Sequence, residues 1–172
     1  NSIHERLLDA WPGISRRMRR NRLYLTCVQD NMEDLVTVTY LQDTANQSGI
    51  EAEIIYIADI GWDESLQRFV DLENGWIRNV FKLYPWEWLL QERLSRHLLS
   101  VYESMCWVEP IWKMLLSNKG IMPILWELNP GHPNLLEAYS DGPRQMQDFV
   151  RKPRLSREGA NITISKGGEE LR

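Results

Sequence analysis

Residues 148–162 bring together groups that handle anions. Lys152 follows the β-prone Phe149-Val150-Arg151, Arg157 stands in the polar stretch after Pro153, and Gly159 comes two residues later, ahead of a second β-prone run that starts at Ile162. A lysine aimed from a strand end is a point charge, and an arginine offers a planar fork of donors. A glycine lets main-chain N–H groups come close to phosphate oxygens. Phosphate binding is the chemistry this stretch could perform. The same residues would also make an exposed hairpin with solvated charges, because basic loops are common on protein surfaces.

Three further places carry charge in a pattern that needs explaining. Glu33 and Asp34 fall in the first turn of a helix expected over residues 32–47. Carboxylates there are favoured by the helix dipole without any ligand. Glu87 lies where a strand gives way to a helix, a junction at which α/β folds collect ligand contacts, but first-turn dipole compensation is the favoured reading of it. Lys119 follows Ser117-Asn118 and precedes the apolar Ile121, Ile124 and Leu125. A lysine beside such a face ordinarily extends to water.

Other chemistries find little support. Cys27 and Cys106 are far apart among apolar neighbours, in no CxxC arrangement, and read as buried free thiols. His4, His97 and His132 are isolated from each other and from carboxylate clusters, so no metal site built wholly from this chain is expected. The net charge of −4 opposes binding to a nucleic-acid backbone. The single basic run, Arg16-Arg17-Met18-Arg19-Arg20, reads as a solvated helix end. No apolar run approaches the roughly 20 residues of a membrane span, and no signal peptide opens the chain, so a reducing cytoplasm is the expected compartment.

The elements that must position these groups follow from periodicity. With 172 residues, 43% of them hydrophobic and 26% charged, the chain can bury a sizeable core in one domain or two small ones. Residues 4–11 are amphipathic and Pro12-Gly13 should end that helix. Residues 22–28 alternate, with Leu23, Leu25 and Cys27 on one face and Tyr24 and Thr26 on the other, as in a strand. Asp30 or Asn31 can cap the helix over 32–47, which Ser48-Gly49 stops, and residues 51–57 form a second strand parallel to the first.

Residues 67–72 and 76–84 are expected to form a hairpin about Glu73-Asn74-Gly75, because Asn-Gly is a strong hairpin signal. A helix should then run from Pro85 to about Ser104, another should begin at Pro110, and a short one should cover 134–139. Residues 149–152 and 162–165 close the chain as two strands. An α/β unit over 1–105 and a smaller α+β unit over 106–172 result.

Three stretches, taken together and in this order, resemble the glutathionylspermidine synthase family of ATP-grasp ligases. The first is Phe81-Lys82-Leu83-Tyr84-Pro85-Trp86-Glu87-Trp88. The second is Ser117-Asn118-Lys119-Gly120-Ile121-Met122-Pro123, continued by Asn129-Pro130-Gly131-His132-Pro133. The third is Lys152-Pro153 with Arg157 and Gly159. The resemblance covers residues 1–165, and the chain looks like an internal piece of the longer synthetase.

What the resemblance implies is specific. The fold would be ATP-grasp-like, close to that of glutathione synthetase, with a partial substrate unit followed by an incomplete lid unit. Lys119, Lys152 and Gly159 would contact ATP, and Arg157, on a loop that orders over the nucleotide, would act on the reacting phosphoryl group. Glu33 and Asp34 would hold the amine substrate, and Leu83 would meet the peptide through its main chain.

The reaction implied is ATP-dependent ligation of the glycine carboxylate of glutathione, or a related peptide, to a polyamine such as spermidine through an acyl phosphate. The resemblance places the Mg2+ ligands upstream of Asn1 and adenine contacts beyond Arg172, so the piece alone is expected to be inactive. It shows nothing amidase-like, and a homodimer is among the assemblies it allows. A non-catalytic ligand-binding module on the same scaffold is the alternative.

Overall fold

The computed structural model describes residues 2–171. The chain divides after Ile111 into two compact units. The first opens with helix α1 (Ile3–Ser15), whose start is fixed by a capping box: Glu5 N donates to the Ser2 hydroxyl at 3.4 Å and Ser2 N donates to the Glu5 carboxylate at 2.8 Å. Contrary to expectation, Pro12 lies inside this helix. Proline cannot donate to the carbonyl four residues back, which here belongs to Leu8. Ser48 reaches that carbonyl instead, its hydroxyl donating at 3.5 Å. The buried Trp11 indole donates to Thr44 Oγ1 at 2.9 Å, a further tie across to the next helix.

Strand β1 (Arg22–Cys27) follows, then α2 (Met32–Gln47), capped by Asn31 through a 3.1 Å bond from Asp34 N, then β2 (Glu51–Tyr56). β1 and β2 pair in parallel, Arg22 with Glu51 through Cys27 with Tyr56. β1 is buried from Leu23 to Cys27, so both faces of its alternating pattern are covered. Leu23, Leu25 and Cys27 pack with Trp11, Val38 and Ala45. Each fully buried leucine of this kind contributes about 1.5–3 kcal/mol.

The expected hairpin is rearranged. β3 (Gly61–Asp63) pairs antiparallel with β4 (Arg68–Val70), and the chain turns at Glu73-Asn74-Gly75 with Asn74 at φ 62°. Val70 still bridges Trp76 and Ile77 N donates to the Phe69 carbonyl at 3.0 Å, but beyond Ile77 the chain leaves that pair, and β5 (Asn79–Lys82) joins β1 in parallel. Burial decides this, since Val80 is fully buried in the central sheet, where a two-stranded hairpin would leave one face in water.

The long helix expected from Pro85 is also absent. In its place are the short α3 (Trp86–Leu89), a 3-10 turn over Arg93–His97 and further turns, and then strand β6 (Cys106–Val108), which pairs in parallel with β5. β6 must begin beside Asn79, the start of the four-residue β5. A straight helix over 86–104 would run about 28 Å, whereas β5 spans only about 13 Å. Folding the crossover into short turns returns the chain to the correct edge while burying Leu98, Val101 and Met105. The four parallel strands take the order β2-β1-β5-β6. Because β6 belongs to this sheet, the boundary expected at 105 lies six residues later, after Ile111.

The second unit contains α4 (Met114–Ser117), α5 (Ile121–Leu128) and an antiparallel sheet of β7 (Phe149–Arg151), β8 (Thr163–Lys166) and β9 (Glu169–Leu171). β7 meets β8 with Phe149 opposite Ser165 and Arg151 opposite Thr163. β9 was not anticipated. It is created by Gly167-Gly168, at φ 61° and 86°, a two-residue turn that glycine makes without steric cost. The helix expected over 134–139 is irregular chain. The molecule is thus a mixed α/β protein with a parallel sheet.

Candidate functional site

In the first unit the connection from β1 runs outward to β2 and that from β5 runs the opposite way to β6, which opens a switch point at the carboxyl ends of β1 and β5. Asp30 at φ 61° turns the chain out of β1 and Asn31 starts α2. Glu33, exposed, and Asp34, half-buried, therefore stand in the first turn of α2 just beyond β1. Leu83 N donates to the Thr26 carbonyl at 2.8 Å, which extends the β1–β5 ladder by a residue and commits the Leu83 main-chain donor to it. The Leu83 side chain packs against the core.

Lys82 is a member of this edge that periodicity missed. Its side chain is 2% exposed, and its ammonium donates to the Tyr84 carbonyl at 3.1 Å, faces Glu109 Oε1 at 3.6 Å and lies 4.5 Å from the Trp86 ring centroid. A buried ammonium persists only with such partners. The signal was present in the sequence, since a lysine ending an apolar strand beside Pro85-Trp86 is an odd choice for a solvated position. Tyr84 donates to Glu92 at 2.6 Å, and burial followed by that carboxylate pushes its pKa up to about 12. Burial, then the charge of Asp34, raises the Cys27 thiol, and burial raises Cys106, so both remain protonated free thiols.

In the second unit, Asn118 accepts from Gly120 N at 2.8 Å and sets the bend between α4 and α5 on which Lys119 sits. The Lys119 amide donates to the Arg154 carbonyl at 2.8 Å and its ammonium donates to the Ser156 carbonyl at 2.6 Å. One residue thereby fastens the loop that carries Arg157 and Gly159. The loop itself turns tightly, with Ala160 N donating to the Arg157 carbonyl at 2.9 Å and Glu158, Gly159 and Asn161 at φ 52°, 76° and 55°. A Cβ on Gly159 would meet no atom within 4 Å, so the backbone there is open on its outer side. Lys152 and Arg157 are exposed, Lys152 one residue past β7.

Glu33, Asp34 and Leu83 thus share one sheet edge, and Lys119 is joined to the loop of Arg157 and Gly159 within the second unit. Among the described residues no group of three or more His, Cys, Asp or Glu side chains could hold a metal ion. No described helix is long and apolar enough to cross a membrane.

The family model described as glutathionylspermidine synthase preATP-grasp matches residues 1–172. The chain belongs to the glutathionylspermidine synthase family. It is 38% identical over 166 residues to a putative acid–amine ligase of Haemophilus influenzae, covering 94% of this chain and 42% of that protein. It is 26% identical to the trypanothione synthetase of Crithidia fasciculata, covering 99% of this chain and 29% of that enzyme. With the bifunctional glutathionylspermidine synthetase/amidase of Escherichia coli it shares 25% identity, over 96% of this chain and 30% of the relative. The chain spans less than half the length of these relatives, which by name are ligases and synthetases.

Proposed function

We propose that this chain supplies part of the substrate and nucleotide sites of an ATP-dependent carboxylate–amine ligase, the first unit taking peptide and amine and the second acting as an ATP-grasp lid. The observation that carries this reading is the attachment of Lys119 to the Arg157–Gly159 loop by two hydrogen bonds, in a chain matched along its whole length by the family model.

The residues suit the groups they would meet. Lys119 spends one of its ammonium protons on Ser156 and keeps two for phosphate oxygens. Gly159 opens the backbone to close approach, and the exposed Lys152 and Arg157 supply further charge. Fixed cations of this kind stabilise negative charge as it redistributes in phosphoryl transfer. A glycine carboxylate oxygen of a glutathione-like peptide attacks the γ-phosphorus of ATP and ADP leaves. A polyamine nitrogen then attacks the acyl phosphate carbon, phosphate departs, and an amide is formed. Arg157 would close over the transferring group, while Glu33 and Asp34 would pair with the ammonium groups of the polyamine. Among the described residues no group of three or more His, Cys, Asp or Glu side chains could hold Mg2+.

The deciding experiment is ADP release by the full protein with glutathione and a panel of polyamines. Amine-dependent turnover that Arg157→Gln abolishes is expected. ATP binding without turnover for any pair would instead assign a non-catalytic binding module.

A further inference from the structure

The opposite edge of the parallel sheet, at the amino ends of β1 and β5, holds a cavity of about 360 Å³. Its charge is one-sided, with Arg19, Arg20, Arg22, Arg68 and Arg78 on the wall and no Asp or Glu. Two of these arginines are answered from outside the wall: Arg22 donates to both oxygens of Glu53 at 2.7 and 2.6 Å, and Arg68 faces Asp63 at 3.6 Å. Arg19 donates to the neutral Glu103 carbonyl at 2.7 Å. Among the described residues no ion pair involves Arg19, Arg20 or Arg78. Burial, and then the facing charges of Arg20 and Arg68, hold the Arg78 guanidinium below its ordinary pKa.

The cluster is built rather than swept together. The Arg78 guanidinium lies 3.4 Å from the Trp76 ring centroid and that of Arg68 lies at 5.4 Å, so an indole holds both forks. Asn79 is fully buried and holds the facing segment. It accepts from Arg19 N at 2.6 Å and donates to the carbonyls of Arg19, Arg20 and Arg22 at 3.2, 3.3 and 2.7 Å. Arg20 is kept at φ 78°, a conformation costly for a long side chain and found where surrounding structure imposes it, often at ligand sites. Arginines gathered without a counter-charge repel one another, and a bound anion removes that cost.

We propose that this cavity is a binding site for a compact small-molecule dianion, a phosphate monoester or a dicarboxylate, gripped by the guanidinium groups of Arg20 and Arg78 beside the Trp76 ring. Its volume is at the low end of the roughly 300–1,000 Å³ of ligand pockets, which favours a small ligand over a threaded polyanion. β1 separates this edge from that of Glu33, Asp34 and Leu83 by roughly 17 Å, at about 3.3 Å per residue. The site is therefore independent of the ligase reading.

Calorimetric titration of the full protein at low ionic strength, with inorganic phosphate in one arm and succinate in the other, tests this. Saturable binding of at least one anion is expected, and the arm that binds names the source. Arg20→Ala and Arg78→Met should each weaken it tenfold or more, and Arg6→Ala, an exposed arginine of α1 that does not line the cavity, should leave it unchanged. If Arg78→Met fails to fold, Arg78→Lys, which keeps the charge and loses the fork, should weaken binding by a smaller factor. No saturable binding in either arm overturns the proposal. So does binding that survives Arg20→Ala but is lost in Lys152→Met, which would place the anion on the Lys119 and Lys152 side and leave the nucleotide reading standing.

Discussion

The Lys119 ammonium lies 2.6 Å from the Ser156 carbonyl, thirty-seven residues along the chain, and is the side-chain half of a double tie to the 154–156 backbone. A hydrogen bond from a charged donor is worth roughly 1.5–3 kcal/mol when desolvated, and less for a half-buried lysine. Lys119→Met should therefore raise tryptic cleavage at Arg154 and Arg157 several-fold and weaken ATP binding about tenfold. ATP should slow cleavage of the unaltered full protein. Unchanged cleavage and unchanged nucleotide affinity in the variant would remove Lys119 from both roles.

Glu33 and Asp34 are not needed to start α2, because Asn31 already caps it through Asp34 N. The double variant Glu33→Ala with Asp34→Ala should cost well under 1 kcal/mol in stability, the scale of exposed dipole effects. In the full protein it should raise KM for the amine tenfold or more, with that for ATP little changed. Equal effects on both substrates would reduce the pair to a helix-end feature.

Asn79→Ala would strand the part-buried Arg19 main-chain N–H and remove three side-chain contacts to the carbonyls of Arg19, Arg20 and Arg22 at the start of β1. A loss of about 2–4 kcal/mol is expected from urea denaturation, since unpaired buried polar groups cost about 1–3 kcal/mol each. Proteolysis at Arg19 and Arg20 should quicken in parallel. A change below 0.5 kcal/mol would mean that the Arg19–Arg22 segment is held by other contacts.

Asp71 accepts from the Tyr24 hydroxyl at 2.6 Å and from the Gly75 and Glu73 amides at 2.7 and 3.0 Å. Burial alone would raise its pKa, but these three donors outweigh burial and hold it below the ordinary carboxylate value. The folded state then binds the proton less tightly than the unfolded chain. The stability Asp71 contributes is complete above the unfolded pKa of about 3.9 and drains as pH falls through the lower folded value. Asp71→Asn should be less stable than wild type in urea at pH 7, and the gap should narrow below about pH 4. A gap that stays constant with pH would rule out this linkage.

Local pattern carried much of the fold. The cap and stop signals of α2 mark its limits, Met32–Gln47, because Asn31 and Ser48-Gly49 act on neighbouring residues alone. β1 was likewise visible in short-range alternation, and β2, β7 and β8 in short β-prone runs. The Asn74-Gly75 turn was legible too, and its flanks pair as expected at Val70 with Trp76 and Phe69 with Ile77, but beyond Ile77 the second run leaves to join β1, where most of β5 is buried. The apolar spacing after Pro85 describes a helix, and only the need to bring Cys106 beside Asn79 breaks it into turns.

The candidate site divides in the same way. That Lys119, Lys152, Arg157, Glu33 and Asp34 carry charge suited to phosphates and amines is a property of residue type and motif, and the sequence by itself determined it. Tertiary structure alone decided that Lys119 fastens the loop of Arg157, that Lys82 is buried against Glu109, and that arginines from three separate stretches line one cavity with Trp76. Each of these joins residues distant in the chain. Such contacts form where burial and unpaired charge across the whole unit favour them, and no local periodicity records that balance.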